Sequence, residues 1–200
     1  MTENIWPYLT PGIEDEKFVQ GDVPMTKQEV RAVILSKAKI KKHHVIYDIG
    51  AGTGSISVET AILAREGRVY AVEQGQKALE LLHSNKERFQ LDNLIIVEGS
   101  APHALEALPP AHRIIIGGSG GHIEDILNVC AQKMKAEGVL NCAAVTVDTL
   151  ARAQEYLEKP PWENLSIVQV SVNRAVKAGR YKIFKALNPV FIITSERSNA

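Results

Sequence analysis

Between Val45 and Glu73 the sequence sets a short apolar run, a glycine-rich turn, a helical pattern and a second apolar run in immediate succession. Val45–Ile49 is too short for a core helix and reads as a buried strand. It runs into Gly50, Gly52 and Gly54, then a helix over Ser55–Arg65 and a strand over Arg68–Glu73. A strand returned through a helix to a second strand gives a parallel pair. Parallel strands need both faces covered, which explains why both runs are largely apolar instead of alternating. This segment alone commits the chain to a layered α/β sheet.

The same rhythm continues. Helices are expected over Gln76–Phe89, Ala101–Leu108, His122–Lys135 and Thr149–Leu157, the last stopped by Pro160 and Pro161. Strands are expected over Leu94–Glu98, Arg113–Ile116 and Gly138–Val147. Leu165–Val172 and Pro189–Thr194 read as strands with no helix between them, which predicts a final antiparallel pair. The expectation is a mostly parallel seven-stranded sheet with helices on both faces, in one domain over residues 1–200. Residues 1–25 show no period and read as an irregular arm. Thr26-Lys27-Gln28-Glu29 has capping-box spacing and opens a helix to about Lys39.

Lys+Arg and Asp+Glu balance at 23 each, so nothing draws the whole chain to nucleic acid or an anionic membrane. No stretch approaches the ~20 apolar residues that span a bilayer. The opening residues lack the basic start and apolar run of a signal peptide, which points to a soluble cytoplasmic protein. Cys130 and Cys142 lie in apolar segments and read as buried free thiols. No residues stand at metal-ligand spacing, so no bound metal is expected.

Asp48–Gly54 falls at the carboxyl end of the first strand, where open parallel sheets bind ligands. Its glycines allow positive φ and close approach of a ligand. The helix that follows offers free N–H groups. A dinucleotide fingerprint reads G-x-G-x-x-G and cradles pyrophosphate. This loop reads G-x-G-x-G with Asp48 ahead of it, and an acid suits a cationic ligand better than a pyrophosphate. The shortened loop resembles motif I of the Rossmann-like, class I methyltransferases that use S-adenosylmethionine (SAM). The resemblance implies that Asp48, Gly50, Ala51, Gly52, Thr53 and Gly54 serve the methyl donor. Glu73 ends the second strand, where a carboxylate can accept from ribose hydroxyls of either SAM or NAD. Ser100 and Ala101, after the third strand, are placed by the same resemblance beside the adenine.

Four stretches together are more specific: "PMTKQEVRA" (Pro24–Ala32), "DIGAGTGSISVETA" (Asp48–Ala61), "IIIGGSGG" (Ile114–Gly121) and "NPVFIITSE" (Asn188–Glu196). They resemble the CbiT family, decarboxylating precorrin methyltransferases of cobalamin synthesis, also found as the C-terminal half of the fused enzyme CobL. The resemblance runs from about Gly12 to Glu196. It implies methylation of C15 of cobalt-precorrin-6B, loss of the ring C acetate as carbon dioxide, and cobalt-precorrin-7 as product. It also implies a homotetramer, a C5-methyltransferase on a separate subunit, and donor contacts at Thr26 and Gly117.

Such chemistry asks mainly for positioning, because the sulfonium already activates the methyl group. Gly117–Gly121 carries no acid. Through Gly118 and Gly120 it could cradle a substrate carboxylate in a nest of N–H groups, or simply make room for a flat ring. Ser119 and His122 are the candidate acids. A tetrapyrrole bears several carboxylates, and Asn173–Lys185 is basic without an acid. Arg174, Lys177 and Arg180 could clamp carboxylates there, or lie on a solvated loop. Lys27 and Arg31 are further candidates, or else solvate the outer face of the first helix. His43 and His44 read as surface residues. Two other functions fit the loop: a SAM-dependent methyltransferase acting on RNA or another small molecule, and a nucleotide-binding module without chemistry. Net charge of zero and the absence of an appended nucleic-acid module count against RNA.

Overall fold

The computed structural model describes residues 5–198. In chain order the elements are α1 (Gln28–Ala38), β1 (Val45–Ile49), α2 (Ser55–Leu63), β2 (Arg68–Glu73), α3 (Gln76–Arg88), β3 (Leu94–Glu98) and β4 (Ala111–Ile116). Then come α4 (Ile123–Lys133), β5 (Met134–Ala144), α5 (Val147–Leu157), β6 (Trp162–Val170), β7 (Asn173–Ala178), β8 (Tyr181–Ala186) and β9 (Val190–Arg197).

Seven strands form one sheet in the order β3-β2-β1-β4-β5-β9-β6. β1 pairs in parallel with β2 and β4, β2 with β3, and β4 with β5. β9 is antiparallel to both neighbours, so the expected sheet and its antiparallel pair are present. The apolar runs explain the layering. On β4, Ile114 and Ile116 face a core with α4 and α5, while Ile115 faces another with α1 and Ile192 of β9. Both sides of that strand are dry, as a central parallel strand requires. A third core packs α2 and α3 on Ile46, Val69 and Leu94. Cys130 and Cys142 are buried free thiols in the first of these cores. Among the described residues no helix is long and apolar enough to cross a membrane.

Several sequence expectations are corrected. The Thr26 capping box does not form: Lys27 is the N-cap residue and its own side chain makes no capping bond. Asp15, distant in sequence, accepts from Gln28 N at 3.0 Å, and Glu29 pairs with Arg174 instead. Ala101–Leu108 is not a helix but a single 3-10 turn, His103–Leu105, in a stretch bracketed by Pro102 and Pro109. β5 begins earlier and ends earlier than expected, and α4 stops at Lys133. The basic segment at 173–185 is not a loop but most of an antiparallel hairpin, β7–β8, separate from the main sheet. His44 is not on the surface: it is buried and stacked on His112 with ring centroids 4.8 Å apart. Burial holds the His44 imidazole down to about 4, with Arg113 and His112 adding to the shift.

The segment before α1 has only a 3-10 turn at Asp15–Lys17, yet it buries Ile13, Phe18 and Met25 against the body. Residues 1–4 of the expected arm lie outside the described residues.

Candidate active site

The loop after β1 meets the loop after β4 at the carboxyl edge of the sheet. Gly50 N and Ala51 N donate to Val72 O at 2.9 and 3.1 Å, and Gly117 N donates to Ile49 O at 2.8 Å. These bonds extend the strand ladders into the loops and fix them against each other. A Cβ on Gly50 would lie 2.6 Å from Gly118 O, so the two main chains leave no room for one. A Cβ on Gly54 would lie 2.3 Å from the Leu82 side chain of α3. Protein atoms, not a ligand, occupy the space beside these two residues. Gly52 differs, with φ +57° and only Pro24 O at 3.6 Å before open space.

Two cavities flank this junction and share Gly50. The smaller, about 190 Å³, is lined by Glu73, Gln74, Ser100, Ala101 and the Gly118–Gly120 turn, with His122 at its side. The larger, about 450 Å³, runs from Gly52 and Thr53 past Thr26, Lys27 and Gly117 to Val145, Val172 and Leu187. The sites singled out in sequence therefore divide into a compact slot and a wider apolar chamber.

Glu73 ties the slot together. Its Oε2 accepts from Gly52 N, and its Oε1 accepts from Gln74 N and Gly75 N, each at 2.8 Å. A carboxylate has about four acceptor positions, so these bonds leave about one for a ligand hydroxyl. Thr53 is buried in the wall of the larger cavity, and its hydroxyl has no partner. That hydroxyl is itself out of reach of the chamber, and the open approach for the amino-acid end of a SAM-like molecule is at Gly52, where a Cβ would meet only Pro24 O at 3.6 Å.

Asp48 does not line either cavity. It lies fully buried beneath the loop, where Ser57 Oγ donates to its Oδ2 and Oδ1 has no partner. Burial pushes its carboxyl up to about 6 against the opposing Ser57 hydrogen bond, and Glu73 adds a smaller rise. A folded value above the unfolded one means stability present below about pH 4 and lost as pH rises through about 6. Asp48→Asn is therefore expected to stabilise the fold at pH 7, on the order of 2 kcal/mol. Chemical denaturation at pH 7 and pH 4 checks this. An equal effect at both pH values would show that Asp48 does not titrate in the fold.

The remaining candidates scatter. Ser119 and Gly120 line the slot, but the N–H groups of Gly117 and Gly118 both donate to Ile49 O, which removes two donors from the expected anion nest. His122 is exposed, with Nδ1 3.8 Å from Asp125 Oδ2. Lys27 lines the larger cavity and makes no ion pair among the described residues. Arg31 is not at the cavity: it is fully buried and donates to Glu59, Asp15, Thr26 O and Ile13 O. Arg174 is held by Glu29 and Asp15. Lys177 and Arg180 project with the hairpin and line neither cavity, Arg180 lying 4.9 Å over the Tyr181 ring.

Sequence reasoning missed the chamber's apolar wall, Val145, Val172, Leu187 and Val190, because only the assembled sheet brings these residues together. It also missed Glu59, whose signal was an acid inside the apolar run of α2. Among the described residues no cluster of three or more His, Cys, Asp or Glu side chains could hold a metal ion.

Comparison with known proteins is consistent along nearly the whole chain. Residues 17–197 match the precorrin methyltransferase domain. A relative from Pyrobaculum calidifontis, named probable cobalt-precorrin-6B C(15)-methyltransferase (decarboxylating), is 42% identical over 193 residues, spanning 95% of this chain and 98% of that one. The crystal structure of a precorrin-6y C5,15-methyltransferase from Geobacter metallireducens superposes with a TM-score of 0.89 at 39% identity, over 95% of this chain and 100% of the other. A precorrin 8W decarboxylase from Methanobacterium thermoautotrophicum gives a TM-score of 0.86 at 32% identity, over 92% and 98%.

Proposed function

The chain belongs to the precorrin methyltransferase family, and from that premise we propose that it methylates C15 of cobalt-precorrin-6B and removes the ring C acetate as carbon dioxide, yielding cobalt-precorrin-7. The observation that carries this reading is near-complete coverage by a relative of that name.

The site residues fit a SAM donor, which when bound supplies an activated methyl group. Glu73 accepts from a ribose hydroxyl in the slot, with Ser100 and Ala101 beside the adenine. Gly50, Ala51, Gly52, Thr53, Thr26 and Gly117 receive the amino-acid end where slot and chamber join. Asp48 acts on that end only through the loop it underlies. Gly54, packed on Leu82, shapes the turn. The chamber then takes one edge of the tetrapyrrole, and Lys27 meets one of its carboxylates.

Decarboxylation needs one proton. The bond from the acetate methylene to its carboxylate breaks and carbon dioxide leaves; the conjugated ring holds the electron pair until the methylene takes it back with a proton, leaving a methyl group. Ser119 and His122 line the slot and not the chamber that takes the tetrapyrrole, so neither stands where that proton arrives. Incubation with labelled SAM and cobalt-precorrin-6B tests the reading by product mass. Methyl gain together with carbon dioxide loss is expected; neither change in the presence of a donor-binding protein would refute it.

The hairpin supports the expected homotetramer. An isolated two-stranded hairpin is marginal in water, yet Val176, Tyr181, Ile183 and Phe184 are exposed on this one. Val176 stands opposite Ile183 on one face, beside the Ala178–Tyr181 pair. A second copy covering that stripe would stabilise both hairpins. Ile183→Asp is expected to give an assembly smaller than the tetramer by light scattering with the main sheet intact; unchanged mass would exclude the hairpin from the interface. A cytoplasmic location and a separate C5-methyltransferase subunit complete the reading.

A further inference from the structure

Arg174 carries the strongest side-chain pairing on the hairpin, and its partners belong to the chain itself. Nε donates to Glu29 Oε1 at 3.0 Å, and Nη2 donates to Glu29 Oε2 at 2.6 Å and Asp15 Oδ2 at 2.9 Å. The Arg174 hydrogen bonds hold the Glu29 carboxyl below the usual range. Burial alone would raise Asp15, but the bonds from Arg31 and Arg174 outweigh it and hold that carboxyl low as well. The Arg174 charge is already matched by Glu29 and by Asp15, which it shares with Arg31, so little of it is left to attract an anionic substrate.

The pairing bridges the two walls of the larger cavity. On one side Leu187 N donates to Val172 O at 2.9 Å, closing the base of the hairpin, and both residues line the chamber. Arg174 follows two residues after Val172. On the other side the wall is Pro24–Lys27 with Val30, and Glu29 sits in the first turn of α1 between them. Asp15 reaches the same wall from behind, accepting from Gln28 N at 3.0 Å and from Arg31 Nη1 at 2.9 Å. The same Arg31 nitrogen donates to Thr26 O, a chamber residue.

We propose that Arg174 is a positioning residue for the tetrapyrrole: its ion pair with Glu29 and Asp15 fixes the hairpin base against the start of α1 and so sets the span of the chamber's outer half. This rests on the precorrin methyltransferase reading. The Arg174 and Glu29 side chains are 32% and 42% exposed, and such a pair contributes little to global stability. Its effect falls on cavity shape.

Glu29→Gln separates this role from direct substrate binding by the sign of its effect. If Arg174 clamped a substrate carboxylate, removing the Glu29 charge would free the guanidinium and lower the KM. As a latch, the same change loosens the wall and raises it. Expected results are a KM for the tetrapyrrole raised about tenfold in both Glu29→Gln and Arg174→Gln, with kcat within about twofold of wild type. The dissociation constant for S-adenosylhomocysteine stays within about twofold, and the double variant is no worse than the worse single one, because both remove one unit. A lowered KM in Glu29→Gln, an unchanged KM in Arg174→Gln, or donor affinity falling as far as the KM rises each overturns the proposal. Wild-type protein that binds S-adenosylhomocysteine but never converts the tetrapyrrole would instead refute the proposed function, and the latch with it.

Discussion

Replacing Arg31 by methionine is expected to lower the melting temperature by about 10 °C. The guanidinium is fully buried, with Nε 2.8 Å from Glu59 Oε1 and Nη1 2.9 Å from Asp15 Oδ1. Nη2 donates to Ile13 O at 2.5 Å, and the group lies 4.8 Å over the Phe18 ring. Glu59 in turn accepts from Gly12 N at 2.6 Å and Ile13 N at 3.1 Å, so one cation gathers both ends of the segment before α1, at Gly12–Asp15 and at Thr26. Removing one partner of a buried pair strands the others and costs about 3–5 kcal/mol. In a chain of this length each kcal/mol moves the midpoint by about 2–4 °C. Lysine is no substitute, because a single ammonium cannot reproduce a planar fork with bonds in several directions. Adding Asp15→Asn and Glu59→Gln to Arg31→Met should recover part of the loss. Calorimetry checks both, and a single variant melting within about 2 °C of wild type would show that the network is not a stability element.

Glu73→Ala is expected to weaken S-adenosylhomocysteine binding about 100-fold, read by titration calorimetry. Two losses combine. One is the ribose acceptor, a charge-assisted bond of about 1.5–3 kcal/mol. The other is the set of main-chain ties to Gly52, Gln74 and Gly75 that hold the loop in its binding shape. About 1.4 kcal/mol corresponds to tenfold in affinity, so either loss alone gives less than their sum. Glu73→Gln keeps one acceptor oxygen and should fall between. Unchanged affinity in Glu73→Ala would remove Glu73 from the donor site.

The sheet was legible in the sequence because central parallel strands are continuous apolar runs and glycine turns mark their carboxyl ends. "VIYDIGAGTG" announced β1 and its loop for that reason. The reading failed where a distant partner decides local structure. Thr26–Glu29 has the letters of a capping box, but Asp15 satisfies Gln28 N and Arg174 takes Glu29. At 173–185 the charge count hid a period-two pattern, and Gly179 at φ +59° supplies the turn. The glycines of the first loop were legible as necessary but not for their reasons: Gly118 lies 68 positions after Gly50 and Leu82 lies 28 after Gly54, and only the fold brings each pair into contact. Arg31 and Arg174 looked like substrate contacts because a sequence shows a cation without showing the carboxylates folded against it.

β9 sits between β5 and β6, although it follows both in the chain. A ribosome therefore delivers β6 with no neighbour to pair with, and β5 with one flank open, until the segment after the hairpin has emerged. During that interval the nascent protein exposes the two edges that β9 later pairs, one on β5 and one on β6, the condition under which chains stick to one another. The last insertion closes both, so a truncation before Val190 should yield aggregates rather than a slightly smaller enzyme.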